Sequence, residues 1–473
     1  MMTKTTLSGE NLTKLENFGH SLSAPSYLYR PTSAEDMAEI FKFARQNGRT
    51  VTLRGAGRSY NDAALNSGGI VIDSTGMNKI LEWNPETGRI TAEPGLTLEK
   101  LWKTVLPSGW WPPVVSGTMT TTLGGCLAMN IHGKNNFRMG PIGEHVVEFT
   151  ALLPTGAQLT CSPTHNGDLF YSFISGMGLL GVFTSITLQM KKVYSGNLKV
   201  EAFNVPNLEK HLEAIETAAP NYSYTVGWLD STASGKGLGR GQLHLAQYVK
   251  EGEDPAPGKT LQIDFQTLPP TMFGVFPKSI IHYFMSPFMI NPGVSLINTA
   301  KYLAGMRAGQ YLQSHAAFHF LLDYVPNWEK AYGSGGMIQY QSFIPRETAR
   351  EAWREILTIS HKRGLPSYLG VTKRHRPDKF LLSHAVDGFS LALDFKVANG
   401  SRAKMQAMLR DFDQIVTQAG GRFYFAKNSE TTPETALKFL GQETVERFKA
   451  LKRRTDPHNL LESNLYRRVF GDF

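Results

Sequence analysis

Three glycine-rich stretches, met in a set order along the first part of the chain, constrain its fold more than any other feature. They are Gly55-Ala-Gly-Arg-Ser-Tyr60, Ser116-Gly-Thr-Met-Thr-Thr-Thr-Leu-Gly-Gly125 and Ser175-Gly-Met-Gly-Leu-Leu-Gly181. Without a Cβ, the backbone can approach phosphate oxygens closely and present several N–H donors at once. The hydroxyls of Thr118, Thr120, Thr121 and Thr122 add further donors. Taken singly, each stretch reads as a tight turn, and Gly235-Lys-Gly-Leu-Gly-Arg-Gly241 is left at that reading. Three in one folding unit imply a bound diphosphate. No Gly-x-Gly-x-x-Gly is placed between a strand and a helix, and there is no Walker A loop, so nicotinamide and P-loop nucleotide binding have no motif behind them.

The elements around these loops are legible. Ser33 is a helix cap with Asp36 three residues on, and Met37, Ile40, Phe41 and Ala44 recur at helical spacing until Asn47-Gly48. Thr50 to Arg54 alternates as a strand and runs into the first loop. Gly69 to Asp73, Arg89 to Glu93 and Val182 to Met190 read as further strands. Leu98, Leu101, Trp102 and Val105 mark one face of a helix. This is an α+β unit, not a doubly wound sheet. A chain of 473 residues exceeds one core, and its texture changes near Lys192. The expected division is 20–193, a substrate-binding domain over 194–415, and a C-terminal segment over 416–473. No internal repeat is present.

The excess of Lys plus Arg over Asp plus Glu, 49 against 40, favours anionic partners. No basic run resembles a nucleic-acid-binding tail, and no nucleic-acid partner is expected. Lys449 to Arg454 is read as a helix end. Two cysteines, Cys126 and Cys161, exclude a disulfide framework or a thiolate metal site, so a cytoplasmic protein without a metal is expected. The N-terminus has no apolar signal core. Ser279 to Ala300 carries no Asp, Glu, Lys or Arg, yet contains Pro287, Pro292 and Gly293. It is read as a loop or short helices, either buried core or in peripheral contact with a membrane surface, with Lys278 and Lys301 bracketing it in positive charge.

The order of the loops, with Ile131-His-Gly-Lys-Asn135 between the second and third, resembles the vanillyl-alcohol oxidase and p-cresol methylhydroxylase (PCMH) superfamily of flavoproteins. Lys452-Arg-Arg-Thr-Asp-Pro457 resembles the stretch with which that superfamily closes over its flavin. Ala331-Tyr-Gly333, Ile338-Gln-Tyr-Gln341 and Gly420-Gly-Arg-Phe-Tyr-Phe-Ala-Lys427 are similar to the decaprenylphosphoryl-ribose 2′-oxidases within it. The implied fold is α+β: a two-subdomain PCMH-type FAD-binding domain plus a substrate domain with a central antiparallel sheet. The implied cofactor is FAD. The resemblance assigns its binding to Leu53, Arg54, Gly55, Ala56, Gly57, Arg58, Ser59, Tyr60, Asn61, Asp62 and Ala63, and to Gly117, Thr122, Leu123, Gly124 and Gly125. Met129, Asn130, Ile131, His132, Val182, Phe183 and Tyr424 complete the set. Relatives with covalent flavin carry a histidine where Arg58 stands, so non-covalent FAD is implied.

By the same resemblance His132 and Lys427 are catalytic, and Tyr60, Lys134, Trp228, Gln339, Gln341 and Lys373 face the substrate. Lys427 follows the apolar run Phe423 to Ala426, and burial there would lower its pKa. Gln339 and Gln341 alternate with Ile338 and Tyr340, which puts both amides on one strand face. Tyr60, Trp228 and Tyr340 are equally compatible with a core role. Ala392 stands where the resembling enzymes carry a cysteine, and from His315 to Asp323 the match slips, so nothing is assigned there. The expected chemistry is oxidation of a sugar secondary hydroxyl, the 2′-hydroxyl of a polyprenyl-phosphate-linked pentose. That would be the first half of an epimerisation in cell-envelope polysaccharide synthesis, completed by a short-chain NAD(P)H-dependent reductase. The alternative is an oxygen-using alditol or sugar-lactone oxidase.

Overall fold

A computed structural model describes residues 7, 9–272, 275–306, 309–398 and 400–471. The N-terminal part holds two sheets. Leu12–Glu16, Ser23–Tyr29, Ile70–Asp73 and Val51–Arg54 lie side by side in that order, the first pair antiparallel and the others parallel. The helix Ala34–Gln46 makes the crossover between parallel strands. Ser33 caps it by accepting from the Asp36 N–H, and it buries Met37, Ile40, Phe41, Phe43 and Ala44. The second sheet is antiparallel: Ile80–Asn84, Arg89–Ala92, Val182–Gln189, Val146–Leu152 and Gln158–Cys161. The glycine stretch ending at Gly181 opens its central strand. That stretch carries a Gly-x-Gly-x-x-Gly spacing but connects the helix Gly167–Phe173 to a strand, the reverse of a dinucleotide fold.

The remainder is built on one eight-stranded sheet. Its order is Gln310–Ser314, Asn197–Val205, Gly241–Tyr248, Tyr224–Leu229, Leu369–His375, Gly388–Lys396, Met337–Pro345 and Arg422–Phe423, antiparallel throughout. The helices Leu208–Ala218, Ala349–Lys362 and Arg402–Gln418 cover one face. Tyr340 points to that side, its hydroxyl donating to Asp413 at 3.0 Å. Gln339 and Gln341 therefore point to the opposite face, towards the N-terminal part. That face is covered too, because Met337 to Ile344 is buried throughout.

The chain ends by returning to its beginning. Past the helix Gln442–Thr455, Leu461 pairs in parallel with Val51. The Val51 N–H donates to the Leu460 carbonyl at 2.7 Å, and the Glu462 N–H to the Val51 carbonyl at 2.9 Å.

The segment expected to be a loop or short helices differs. A short helix, Ile281–Met285, is followed by a long one, Asn291–Gly305. Pro292 sits in the first turn, where its missing N–H has no helical partner to lose, so it starts the helix instead of breaking it. The bracketing lysines both lie against aromatic rings. The Lys278 ammonium lies 3.3 Å from the Tyr324 ring centroid, and that of Lys301 lies 4.3 Å from the Trp228 ring centroid. Among the described residues no helix is long and apolar enough to cross a membrane.

Candidate active site

A cavity of about 560 Å³ runs between the three glycine stretches and the face of the large sheet that carries Gln339 and Gln341. The strand Val51–Arg54 delivers the first stretch into it. Gly55 and Gly57 are required there. A Cβ on Gly55 would lie 2.1 Å from Thr122 Oγ1, and Gly57 has φ +66° with the Arg54 guanidinium where a side chain would go. Thr122 accepts from the Gly125 N–H at 3.4 Å and caps the helix Leu123–Ala128, which brings the second stretch against the first. The Nε of Arg58 is buried on this wall with no hydrogen-bond partner among the described residues. A bare backbone cradle with an unpaired guanidinium N–H suits a diphosphate.

The opposite wall carries the polar cluster. His132 is buried, with Lys373 Nζ 3.4 Å from its Nδ1 and Gln341 Nε2 3.2 Å from its Nε2. Burial, then Lys373 and the nearby His375 and His384, hold its pKa well below the ordinary imidazole value, so the ring is neutral. A neutral imidazole has one donor and one acceptor. Lys373 donates to Nδ1, which leaves Nε2–H to donate to the Gln341 amide oxygen, the amide being turned end for end. Lys373 itself is lowered by burial to about 8.

Lys427 Nζ lies 3.7 Å from the Tyr60 ring centroid. Burial lowers its pKa, and Asp394 pulls it back up. Asp394 is paired in register with Gln339 and accepts from its Nε2 at 2.5 Å, while its Oδ2 has no hydrogen-bond partner among the described residues. Burial raises that carboxyl. Lys134 donates to the Phe318 carbonyl and lies 4.4 Å from the Phe318 ring centroid. The wall is lined by Arg54, Arg58, Lys134, Lys301, Lys373 and Lys427, with no carboxylate among its lining residues. Its charge calls for an anion.

Two family models match parts of this chain. Residues 25–162 match the FAD binding domain and residues 340–469 match D-arabinono-1,4-lactone oxidase. The chain is 29% identical over 441 residues to the decaprenylphosphoryl-β-D-ribose oxidase of Mycolicibacterium smegmatis, covering 91% of each. The chain is an FAD-dependent oxidoreductase, and its matches are consistent with a PCMH-type flavoprotein. This flavoenzyme is also 23% identical over 460 residues to the L-gulono-1,4-lactone dehydrogenase of Mycobacterium tuberculosis, covering 96% of this chain and 98% of that one. To the L-gulonolactone oxidase of Mus musculus it is 28% identical over 200 residues, which is 41% of this chain and 44% of that one. Relatives of this range act on sugar-type substrates, and so does the flavoenzyme.

Most residues singled out in the sequence line the one cavity. Leu53 to Tyr60, Ala63, Gly117, Thr122, Gly124, Gly125, Met129, Ile131, Val182, Phe183 and Tyr424 form the glycine-rich side. His132, Lys134, Trp228, Gln339, Gln341, Lys373 and Lys427 form the other.

Four residues expected on the wall stand behind it. Asn61 donates to the Phe425 carbonyl, and Asp62 holds Arg468 through both oxygens at 2.7 and 3.1 Å. Leu123 is fully buried in the core, and Asn130 accepts from the Gly143 N–H at 3.0 Å. They brace the loops. Conversely, the flavoenzyme brings His244, Lys301, His319 and Tyr324 to the cavity, which were not singled out. Only Lys301 had a signal, as a cation closing an apolar run.

Proposed function

We propose that the flavoenzyme oxidises a secondary hydroxyl of a phosphate-bearing sugar, the 2′-hydroxyl of a pentose carried on a polyprenyl phosphate. The carboxylate-free cationic wall supports this reading above all. Arg54 and Arg58 suit the cofactor's diphosphate, which leaves Lys134, Lys301, Lys373 and Lys427 on the substrate side. A neutral lactone gives the Lys301 and Lys373 ammonium groups no counter-charge, whereas a sugar phosphate does. The name of the mycobacterial relative supports the same substrate class.

When bound, FAD supplies the acceptor for the hydride that leaves carbon. The protein's residues do the rest. Gln339 and Gln341 project from one strand face and orient the sugar hydroxyls. Neutral His132, with Nδ1 engaged by Lys373 and Nε2 by Gln341, holds these two side chains in place towards the sugar. Lys427, its ammonium disfavoured by burial, accepts the hydroxyl proton. Arg58 occupies the place of a tethering histidine, so the FAD is held without a covalent bond. The resulting ketone would be reduced from the other face by a separate short-chain NAD(P)H-dependent reductase.

The lactone match over residues 340–469 favours the second reading, a sugar-lactone oxidase. Anaerobic mixing of the flavin-loaded enzyme with a polyprenyl-phosphate pentose should bleach the flavin at saturating rates, while gulono- and arabinono-lactones should not. Bleaching by the lactones alone, with peroxide formed in air, overturns the proposal. Acid precipitation should leave the yellow FAD in the supernatant.

A further inference from the structure

The helix Asn291–Gly305 is amphipathic in the wrong sense for water. Its polar side faces the protein: Asn298 donates to Asp230 Oδ1 at 3.2 Å, and Thr299 Oγ1 accepts from Arg240 at 2.9 Å. Asn204 also donates to the Tyr302 carbonyl on that side. Its outer side carries Leu296 at 66% exposure, Leu303 at 58% and Ile297, with no charged group among them. A helix exposed to water presents the opposite arrangement.

The short helix before it adds Tyr283 at 71% exposure and Phe284 at 63%, followed by Phe288 and Ile290. Scattered exposed apolar residues are ordinary, but a contiguous apolar collar is not. The collar runs into the cavity mouth. Leu321 and Tyr324 are both exposed and cavity-lining, and Lys301 reaches from the same helix over Trp228 into the cavity.

Charge decides what covers the collar. From Phe265 to Leu322 the chain has no Asp or Glu, within a protein of net charge +9. A protein partner is held in register by polar and charged groups on the rim of its interface, and the outer side of this helix offers none. A bilayer requires only apolar and aromatic contact, with no repelling carboxylate facing anionic headgroups.

We infer that residues 276–306, with Leu321 and Tyr324 at the cavity mouth, dock the flavoenzyme onto the surface of a bilayer containing anionic phospholipid, with the mouth facing the headgroups. The helix lies in the interface and does not span it. This deepens the lipid-linked reading above and rests on it for the identity of what passes through the mouth. A sugar head enters the cavity while its lipid stays in the membrane.

The test uses the flavin-loaded full chain and vesicles without substrate. The protein should sediment with phosphatidylglycerol–phosphatidylcholine vesicles and more weakly with phosphatidylcholine alone. The combined substitution Phe284→Ser, Leu296→Ser and Leu303→Ser should lower the partition coefficient by at least ~10-fold. These side chains lie outside the cavity wall, so FAD content and the rate with a water-soluble sugar phosphate should not change. Absence of vesicle binding, or equal binding by the substituted protein, overturns the inference. So does a collar that proves to hold two copies together, seen as a dimer that the three serines dissociate without any vesicle binding. If vesicles bind but the lipid-linked pentose is not oxidised, the substrate reading fails and the docking surface stands.

Discussion

At the scale of single residues, the proposed chemistry turns on a lysine and an aspartate that the sequence separates and the fold brings together. Lys427 was legible: an ammonium after the apolar run Phe423 to Ala426 has to be buried or strained outward. Asp394 was not, because only strand register pairs it with Gln339 and sets it behind the wall. Lys427→Ala should slow flavin reduction by substrate at least ~10²-fold with FAD retained, as for loss of a proton acceptor. Asp394 acts through Lys427, as a positioning residue. Its carboxylate favours the ammonium form, whereas Lys373 and burial oppose it. Removing that charge lowers the lysine's pKa, so more of it is neutral at a given pH. In Asp394→Asn the acidic limb of the pH profile for flavin reduction should move to lower pH, measured by stopped flow. An unmoved limb with a uniformly lower rate would mean that Asp394 only supports the fold.

Between elements, the N-terminal sheets were legible because short alternating runs border glycine turns. The substrate half was not, since its strands pair across long loops. The apolar run at 279–300 was visible, but its helix was not, because Pro292 reads as a breaker unless it falls in the first turn. His211 shows what such packing depends on. It lies on the helix Leu208–Ala218, fully buried, with Nε2 2.8 Å from Thr372 Oγ1. A Cβ on Gly227 would come within 2.2 Å of its ring and one on Gly241 within 3.0 Å, so two glycines cut the notch it fills. Burial lowers its pKa to about 4. The unfolded chain binds a proton at that ring below about 6.5 and the native one does not. Native stability is therefore fully present above about pH 6.5 and declines as pH falls towards 4. The amount lost at this site is on the order of 3 kcal/mol. His211→Gln should be less stable at pH 7.5 but lose less on acidification, read from urea midpoints at pH 7.5 and 5. Parallel declines in the two proteins would remove His211 from the acid response.

For the whole molecule, the cavity holds its shape because the two ends of the chain are joined beside it. The strand Val51–Arg54 lies between Ile70–Asp73 and the returning residues 460–462, and it continues directly into the first glycine stretch. The return is held by one buried pair. Lys452 donates to Asp456 Oδ2 at 2.9 Å and to the Leu461 carbonyl at 2.8 Å. Asp456 accepts from the Leu460 and Leu461 N–H groups at 2.9 and 2.7 Å. The basic cluster read as a helix end thus contains one cation, Lys452, that is not at the surface at all. The motif was visible in the sequence, but the partner groups are backbone atoms that no spacing reveals. Removing one member leaves the other charged, buried and unpaired, which costs about 3–5 kcal/mol. Asp456→Ala should therefore lower the temperature of flavin release by roughly 10 °C. Lys452→Met in the same chain should recover part of that loss, because the stranded ammonium is gone. Flavin fluorescence on heating reads the release directly. If Asp456→Ala unfolds at a lower temperature yet releases its flavin where the wild type does, the closure is not what secures the cofactor loop. If the second substitution deepens the loss, the cost lies in the backbone contacts of Leu460 and Leu461 and not in the unpaired charge.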